Sequence, residues 1–370
     1  MVKVVVRRTS YTYEELRECF FEIMEAIGGA EIGRGASVLI KPNLLSPARP
    51  DEALLTHPHM VRAAVEYVLE RGGLPVVADS PAIGSFKRIL RESGIEEALQ
   101  GLAVVCKPLN VSVPADIGSP FGFIEMAEES ITADVVINLP KLKTHSQMLL
   151  TLGVKNLFGC VVGYRKPEWH MRTGVDTAMF ARLLVLIHER IQPRFTILDG
   201  VLAMEGEGPG KGGKPRWVGL LMGGNSAHGI DAAVCRMLGI APEELLTVKT
   251  ARELNIWDGE LEMDGELPSI RDFALPGREP LVFGPKLLQG FIRRQLTGRP
   301  VVEASRCQLC GDCWKICPAK AIGHDRTSLH IDYDQCIRCY CCLEVCPYGA
   351  IHKRETMSGR LVRGLAEKLL

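Results

Sequence analysis

The chain has 370 residues, of which 46% are hydrophobic and 24% are charged. This composition is typical of a globular protein with a sizeable core, and the length fits a large domain plus a small one. Lysine plus arginine and aspartate plus glutamate number 44 each, and this neutral balance argues against a general nucleic-acid-binding protein, which needs a basic surface.

The N-terminal residues and the cysteines indicate the cellular compartment of the protein. Residues 1–8 carry charges where a secretion signal needs an apolar core, and no stretch long enough to span a bilayer is free of charge. Nine of the 13 cysteines lie between Cys307 and Cys346, which indicates metal in a reducing compartment and not disulfides. We therefore expect a cytoplasmic protein without a transmembrane segment.

Strand and helix patterns alternate over the first two-thirds of the chain. Capping boxes, Pro and Gly-Gly pairs mark helix starts and stops. Such alternation predicts an α/β domain over residues 1–284, with a mostly parallel sheet and helices on both faces. The predicted strands cover residues 2–7, 37–40, 75–79, 103–106, 135–139, 195–199 and 218–222, and the predicted helices follow Thr12 and Pro58 and cover 176–190 and 227–238.

The rest of the chain divides into three predicted parts. Residues 285–299 predict a basic linker helix, and residues 300–356 predict a small α+β domain of two-cluster ferredoxin type. Residues 357–370 predict an amphipathic C-terminal helix, which could dock on a partner or a membrane surface, or pack on its own protein.

Two cysteine runs of the same spacing define the small domain. Each reads Cys-x-x-Cys-x-x-Cys-x-x-x-Cys-Pro, the spacing of bacterial ferredoxins in which the fourth cysteine of each run binds the other cluster. Structural zinc, the alternative, prefers two cysteine pairs separated by a long loop. We therefore predict two 4Fe–4S clusters. Their ligands are Cys307, Cys310, Cys313 and Cys346 for one, and Cys336, Cys339, Cys342 and Cys317 for the other.

One cysteine of this region, Cys341, lies outside both runs. We interpret it as a bystander thiol near a cluster, with a redox or tuning role as the alternative.

Polar residues follow four of the predicted strands at their carboxyl ends, where open α/β sheets bind ligands. Singly, each lysine could be a solvated loop charge and each histidine a structural residue, but their convergence favours a site for an anionic small molecule, phosphate or carboxylate. The predicted ligand-binding residues are Lys41, Asn43, Ser80, Lys141, Lys143, Lys155 and Asn156. The predicted catalytic residues are His57 and His145 for proton transfer and Asp79 and Asp199 for orienting a ligand or cation.

A glycine-rich stretch over residues 205–215 fits a dinucleotide-binding fingerprint and nearly fits a phosphate-binding loop. Its context differs from both, because a strand follows where a helix should and Pro215 replaces the metal-binding Ser or Thr. We interpret it as a mobile loop that could act as a lid.

Six blocks of the chain, taken in order, resemble the family named domain of unknown function 362. They are Lys41-Pro42-Asn43, Thr56-His57-Pro58, Asp79-Ser80, residues 138–145, residues 153–159 and Asp199-Gly200. Many members carry a two-cluster ferredoxin module, so the resemblance implies an iron–sulfur protein, without settled substrate or catalytic residues. The second and third blocks also look like the N-terminal fold of the lactate racemase family, an analogy of fold that does not imply nickel chemistry.

Together, the cysteine runs and the strand-end residues favour an iron–sulfur oxidoreductase. We expect the ferredoxin-type domain to relay single electrons to or from an anionic ligand, with a redox protein as donor or acceptor. Two alternatives stay open: an electron-transfer adaptor whose α/β domain is a docking surface, and a maturation factor that hands on a metal or cofactor.

Overall fold

The computed structural model of the protein describes residues 1–163, 165–173, 176–277, 297–356 and 358. Within these residues, ten strands form one sheet and three two-stranded sheets lie apart from it. The strands are β1 (Val2–Arg8), β2 (Ser37–Pro42), β3 (Leu74–Asp79), β4 (Val105–Pro108), β5 (Ser112–Asp116), β6 (Phe123–Ala127), β7 (Val135–Leu139), β8 (Lys141–His145), β9 (Leu149–Thr151), β10 (Phe195–Gly206), β11 (Gly213–Gly224), β12 (Leu261–Asp264), β13 (Arg299–Val302), β14 (Ile322–His324), β15 (Leu329–Ile331) and β16 (Ile351–Arg354).

Helices connect these strands, and most follow the apolar periodicity of the sequence. Helix α2, for example, begins at Pro58, and the ring of the preceding His57 accepts a hydrogen bond from the backbone N–H of His59 at 3.2 Å. The described helices are α1 (Tyr13–Ala26), α2 (Pro58–Glu70), α3 (Phe86–Glu92), α4 (Ile95–Ala98), α5 (Glu128–Thr132), α6 (Gly153–Asn156), α7 (Arg165–Thr173), α8 (Thr177–Ile191), α9 (Ala227–Met237), α10 (Leu246–Glu253), α11 (Asp312–Ile316) and α12 (Cys341–Val345).

The large sheet is mostly parallel, as the alternation of elements predicts. Its order is β12-β1-β11-β10-β7-β2-β3-β4, with β8 and β9 attached at β10. The neighbours from β10 to β4 all run parallel, whereas β11 is antiparallel to both β1 and β10. Parallel neighbours need crossover connections, and the helices supply them. The carboxyl ends of β2, β3 and β7 therefore meet at one edge.

Two separate apolar cores cover the two faces of the sheet. Helices α1 and α2 bury residues such as Phe20 and Val65 in one core, and α8 and α9 bury Leu184 and Val234 in the other. The predicted α/β architecture, with helices on both faces, is thus confirmed.

Two strands are much longer than the sequence predicts. Strands β10 and β11 form a hairpin with 12 residues in each arm, and the glycine-rich stretch is its tip. The sequence predicts only 195–199 and 218–222, because the polar and glycine-rich arms beyond these residues lack a strand pattern. The hairpin consequently continues well beyond Phe195 and Thr196, the two residues through which β10 pairs with β7.

The C-terminal region forms the predicted small α+β module. Strand β13 pairs with β16, β14 pairs with β15, and the short helices α11 and α12 occupy equivalent positions in the two halves. Most of the predicted linker helix 285–299 lies outside the described residues, and Arg299 begins a strand instead. The predicted helix 357–370 also lies outside them, apart from residue 358.

No helix among the described residues has the length and apolarity needed to cross a bilayer.

Candidate functional site

A cavity of about 460 Å³ lies where the strand ends meet the C-terminal module, and we call it the strand-end cavity. The α/β domain contributes the loops after β2 and β3 and parts of β8, α6 and α7, whereas the module contributes α11 and α12. Seven of the predicted site residues line this cavity: Lys41, Asn43, Asp79, Ser80, Lys143, Lys155 and Asn156.

A buried ion pair forms part of the cavity wall. Lys41 Nζ lies 2.8 Å from Asp79 Oδ1 and donates a hydrogen bond to the carbonyl of Pro42 at 2.7 Å. Gly159 packs directly on this pair, since a Cβ there would lie 2.6 Å from both charged atoms. Lys41 is therefore neutralised within the protein, and the close approach requires glycine at position 159.

Three other lysines of the α/β domain line the cavity without an ion pair to any described residue. Lys155 has neither an ion pair nor a hydrogen bond among the described residues; burial lowers the pKa of its ammonium, and the carboxylate of Glu344 raises it. Lys143 Nζ donates to the carbonyl of Leu54 at 2.9 Å, and burial lowers its pKa to about 7. Lys166 donates to the carbonyl of Ser80, and burial lowers its pKa to about 8.

Side-chain amides order the adjoining wall. Asn43 Nδ2 donates to Asn156 Oδ1 at 2.9 Å, and Asn156 Nδ2 donates to Asn138 Oδ1 at 2.8 Å. The Oδ1 atom of Asn43 is buried and has no hydrogen-bond partner among the described residues. One acceptor of this wall is thus left for a ligand or a water molecule.

His170, on α7, also lines the cavity and is not among the predicted site residues. It is 4% exposed, its ring packs against Phe158 and Phe180, and burial lowers its pKa to about 3, so the ring is neutral at pH 7. Its Nδ1 atom has no hydrogen-bond partner in the described part of the chain. Lys166 and His170 lie on α7, a helix that is not among those predicted from the sequence, so neither residue is expected near the strand ends.

Three predicted site residues form a second group, which does not line the cavity. Asp199 accepts hydrogen bonds from Lys141 Nζ at 2.8 Å, from Tyr11 Oη at 2.7 Å and from the backbone N–H of His57 at 2.9 Å. The His57 ring stacks on Tyr11 with centroids 3.6 Å apart, and burial lowers the pKa of His57 to about 3. We call Tyr11, His57, Lys141 and Asp199 the Lys141–Asp199 cluster.

The remaining predicted residue, His145, connects the two domains. Its Nδ1 accepts the backbone N–H groups of Gln147 and Met148, which leaves the proton of the neutral ring on Nε2. That Nε2 lies 2.9 Å from Glu344 Oε1 on α12, and burial lowers the pKa of His145 to about 4. His145 does not line the cavity, so the structure places it at the domain interface.

The glycine-rich tip of the β10–β11 hairpin is anchored at both domains, in contrast to the predicted mobile loop or lid. Ser146 donates its backbone N–H to the carbonyl of Gly208 at 3.0 Å, and Gly208 donates to Thr144 Oγ1 at 3.2 Å. A Cβ at Gly210 would lie 3.0 Å from the carbonyl oxygens of Leu343 and Glu344. Glycine there lets the tip dock against α12.

The eight cysteines of the two runs surround two small cavities in the crosswise grouping that the spacing predicts. The first thiol cavity is lined by Cys307, Cys310, Cys313 and Cys346, and the second by Cys317, Cys336, Cys339 and Cys342. No cysteine of the described residues forms a disulfide.

Backbone donors and apolar neighbours complete the two thiol cavities. Ala321 and Ala350 donate backbone N–H groups to the sulfur atoms of Cys317 and Cys346 at 3.3 and 3.2 Å. Four convergent soft thiols with such donors fit the requirements of a 4Fe–4S cluster.

A third group with metal-binding side chains lies between α8 and α9. Glu189 Oε1 lies 2.8 Å from His188 Nδ1 and 3.2 Å from His228 Nε2. The opposite ring nitrogens, His188 Nε2 and His228 Nδ1, are buried without partners among the described residues, whereas metal-bound histidines donate that second N–H to a neighbour. The group is better explained as a hydrogen-bonded clamp between the helices.

Comparison with known proteins identifies both parts of the chain. The family model described as domain of unknown function (DUF362) matches residues 38–236, and the model described as 4Fe-4S dicluster domain matches residues 306–350. A thylakoid-associated protein of Synechocystis sp. is 36% identical over 300 residues, covering 78% of this chain and 93% of the relative.

Shorter matches concern only the cysteine-rich module. A ferredoxin of Alicyclobacillus acidocaldarius is 40% identical over 58 residues, covering 15% of this chain and 74% of the relative. The electron transport protein HydN of Escherichia coli K12 is 36% identical over 58 residues, covering 15% of this chain and 33% of the relative.

Among solved structures, the lactate racemase apoprotein of Thermoanaerobacterium thermosaccharolyticum is similar with a TM-score of 0.40 and 12% identity. The match covers 61% of this chain and 54% of that one.

These matches confirm the predicted 4Fe–4S-binding module and its electron-transfer role. Because one family model covers more than half of the chain and a relative aligns along most of its length, the chain belongs to the domain of unknown function 362 family, with a 4Fe–4S module joined to it.

Proposed function

We propose that the protein is an iron–sulfur oxidoreductase that exchanges single electrons with an anionic small molecule bound in the strand-end cavity. One observation supports this proposal above the others. The cavity has lysines of the α/β domain on one side and the two cysteine-bearing helices of the module on the other. A ligand there would be within the same enclosure as the module that handles electrons.

The charges of the cavity support an anionic ligand. Five lysines and three carboxylates of the described residues line it, and Asp79 is already paired with Lys41. The unpaired ammonium of Lys155 would form a charge-assisted hydrogen bond with a carboxylate or phosphate group. The volume of about 460 Å³ suits a small organic molecule.

Lys143 is the residue that we propose for proton transfer. Burial brings its pKa to about 7, which is the range in which a side chain can both accept and donate a proton at neutral pH. His57 and His145, the two histidines predicted from sequence, do not line the cavity. The proposed proton-transfer role therefore passes from the histidines to this lysine.

The two cysteine groups are proposed to hold two 4Fe–4S clusters, which would supply one-electron chemistry. Cys307, Cys310, Cys313 and Cys346 would hold one cluster, and Cys317, Cys336, Cys339 and Cys342 the other. The protein's own contribution is to bury two cysteines of each group, Cys313 and Cys346 in the first and Cys339 and Cys342 in the second, and to leave Cys310 of the first group exposed.

The test begins with protein purified without oxygen. We expect about eight iron and eight sulfide per chain. Calorimetric titration with inorganic phosphate, sulfate and short dicarboxylates is expected to find an anion that binds. Lys155→Met is expected to weaken the binding of that anion about 10- to 100-fold, because a charge-assisted hydrogen bond contributes about 1.5–3 kcal/mol to the binding free energy.

Lys249→Met on the exposed face of α10 is the matched control and should bind normally. Absence of any anion binding, or equal binding by the Lys155→Met variant, would contradict the proposed ligand class.

An electron-transfer adaptor is the second candidate, and the exposure of Cys310 favours it. A group held there would be open to a redox protein, and the electron-transport relatives imply such a partner. An adaptor would bind its partner as tightly in the Lys155→Met variant as in the native protein and would bind none of the small anions.

A further inference from the structure

The strand-end cavity adjoins only one of the two thiol cavities. Among the described residues, Cys341 lines both the strand-end cavity and the second thiol cavity, whereas the first thiol cavity shares no lining residue with the strand-end cavity. Cys341 is the first residue of α12 and is 6% exposed. The two cysteine groups are therefore not equivalent with respect to a ligand.

Apolar packing supports the same asymmetry. Cys339 and Cys341 belong to one buried cluster with Ile316, and Ala82 and Ile83 of the α/β domain pack against it. Ala82 and Ile83 also line the strand-end cavity. The described cysteines of the first group lie outside this cluster. Among the described residues, only the second group is therefore joined to the wall of the strand-end cavity by apolar packing.

Cys341 adjoins both a cysteine of the second group and the lysine-lined strand-end cavity. Its thiol packs with Cys339 in the same buried cluster and lines the second thiol cavity beside it, where an S–H group can serve as a hydrogen-bond donor to sulfur. On the cavity side, it shares the lining of the strand-end cavity with Lys155. Hydrogen bonds to cysteine sulfur and nearby charge are two of the factors that set the reduction potential of a cluster.

We propose that Cys341 is a positioning residue through which charge in the strand-end cavity tunes the second cysteine group and not the first. This inference rests on the proposed function, because it takes both groups as cluster ligands. A cation in the cavity favours an added electron and an anion opposes it. By linkage, an anion that lowers the potential binds less tightly to the reduced protein than to the oxidised protein.

The test is a redox titration of the anaerobic full chain, followed by electron paramagnetic resonance and without any added anion. Cys336→Ser and Cys307→Ser, matched at the first position of each run, assign the two signals, whether serine shifts a signal or abolishes it. Lys155→Gln is expected to make the midpoint potential of the second-group signal more negative and to leave the first unchanged.

Variants at Cys341 then test whether this residue affects the reduction potential of the second group. Cys341→Ala is expected to shift the second-group signal to more negative potential, and Cys341→Ser, which keeps a hydrogen-bond donor, to shift it less. Lys249→Gln, exposed on α10, is the control and should shift neither signal.

A shift of both signals by Lys155→Gln, of the first alone, or of neither overturns the proposal, as does a native potential in Cys341→Ala. Because no anion is added, the result is independent of whether the cavity binds one. Failure to detect two signals in the native protein would instead overturn the cluster assignment.

Discussion

The Lys141–Asp199 cluster and the strand-end cavity both place buried lysines at the carboxyl ends of one sheet, but the protein satisfies them to different degrees. In the cluster, Lys141 has a carboxylate at 2.8 Å and a phenol at 2.7 Å. In the cavity, Lys155 has no such partner among the described residues, and His170 keeps a buried ring nitrogen without one. The difference separates a lysine that stabilises the fold from one that is free to bind a ligand.

The largest effect is expected from removing a charge of the saturated cluster. Lys141→Met leaves the buried carboxylate of Asp199 without its cation, and we expect a loss of about 3–5 kcal/mol in the free energy of unfolding. Urea denaturation under anaerobic conditions, followed by tryptophan fluorescence, measures it. Lys155→Met is the matched control and should cost much less, because Lys155 has neither an ion pair nor a hydrogen bond among the described residues. Equal losses in both variants would contradict the comparison.

The double variant Lys141→Met with Asp199→Leu tests whether the unpaired carboxylate of Asp199 causes the loss of stability. Replacing both members of a buried pair by apolar residues removes the uncompensated charge, so much of the lost stability should return. A double variant as unstable as Lys141→Met would show that the pair itself, and not the orphaned carboxylate, determines stability.

A substitution at Gly159 is expected to have the next largest effect. The added methyl of Gly159→Ala would lie 2.6 Å from Lys41 Nζ and Asp79 Oδ1, so the pair must move and the cavity wall must shift. We expect a loss of about 1–3 kcal/mol and weaker anion binding. Gly163→Ala, where a Cβ meets no atom within 4 Å, is the steric control, although its φ of +56° adds some backbone strain. Native stability in Gly159→Ala would exclude the close approach.

Removing a single hydroxyl from the saturated cluster should cost less. Tyr11→Phe deletes the phenol that donates to Asp199 at 2.7 Å and accepts from Lys141 at 2.7 Å. We expect a loss of about 1–2 kcal/mol in unfolding free energy and unchanged anion affinity. Altered anion affinity in this variant would show that the two regions are coupled.

The smallest predicted effect is a dependence of anion binding on pH. Lys143 loses its proton as pH rises through about 7, so an anion of constant charge, such as sulfate, should bind up to about tenfold more weakly at pH 8 than at pH 6. The charged groups that face it are Lys141, Lys155, Asp79 and Glu344. Calorimetry at several pH values measures the dependence.

Lys143→Met is the control for this pH dependence, because it removes the ammonium that titrates near pH 7 and should leave only the dependence of about twofold that Lys166, with a pKa of about 8, contributes. A profile in the native protein that is already flat between pH 6 and pH 8 would exclude titration of Lys143 in that range.

Local patterns in the sequence were sufficient for the sheet and for the grouping of the cysteines. The strand predicted at 135–139 has the same bounds in the structure, and the cysteines surround two cavities in the predicted crosswise sets. Both follow from short-range regularities, namely apolar runs between turns and a fixed cysteine spacing.

The site could be predicted only in part. The position of a residue at a strand end predicts at which edge of the sheet it lies, but not which side chains it contacts there. Lys141 and Lys143 are two residues apart on β8, yet the first meets Tyr11 and Asp199 and the second faces the cavity. Glu344 becomes the neighbour of His145 only once the module docks. Cys341, interpreted as a bystander from its position outside the repeat, lies in the shared wall.

The docking of the hairpin tip has a consequence for how such fusions can be built. A hairpin loop on the surface usually tolerates insertions. A ferredoxin-type module can usually be exchanged for another, because it folds around its own core. Here the backbone at Gly210 lies against carbonyl oxygens of α12, and His145 lies against Glu344. A free ferredoxin grafted in place of residues 300–356 would therefore have to reproduce both contacts before it could dock in the same way.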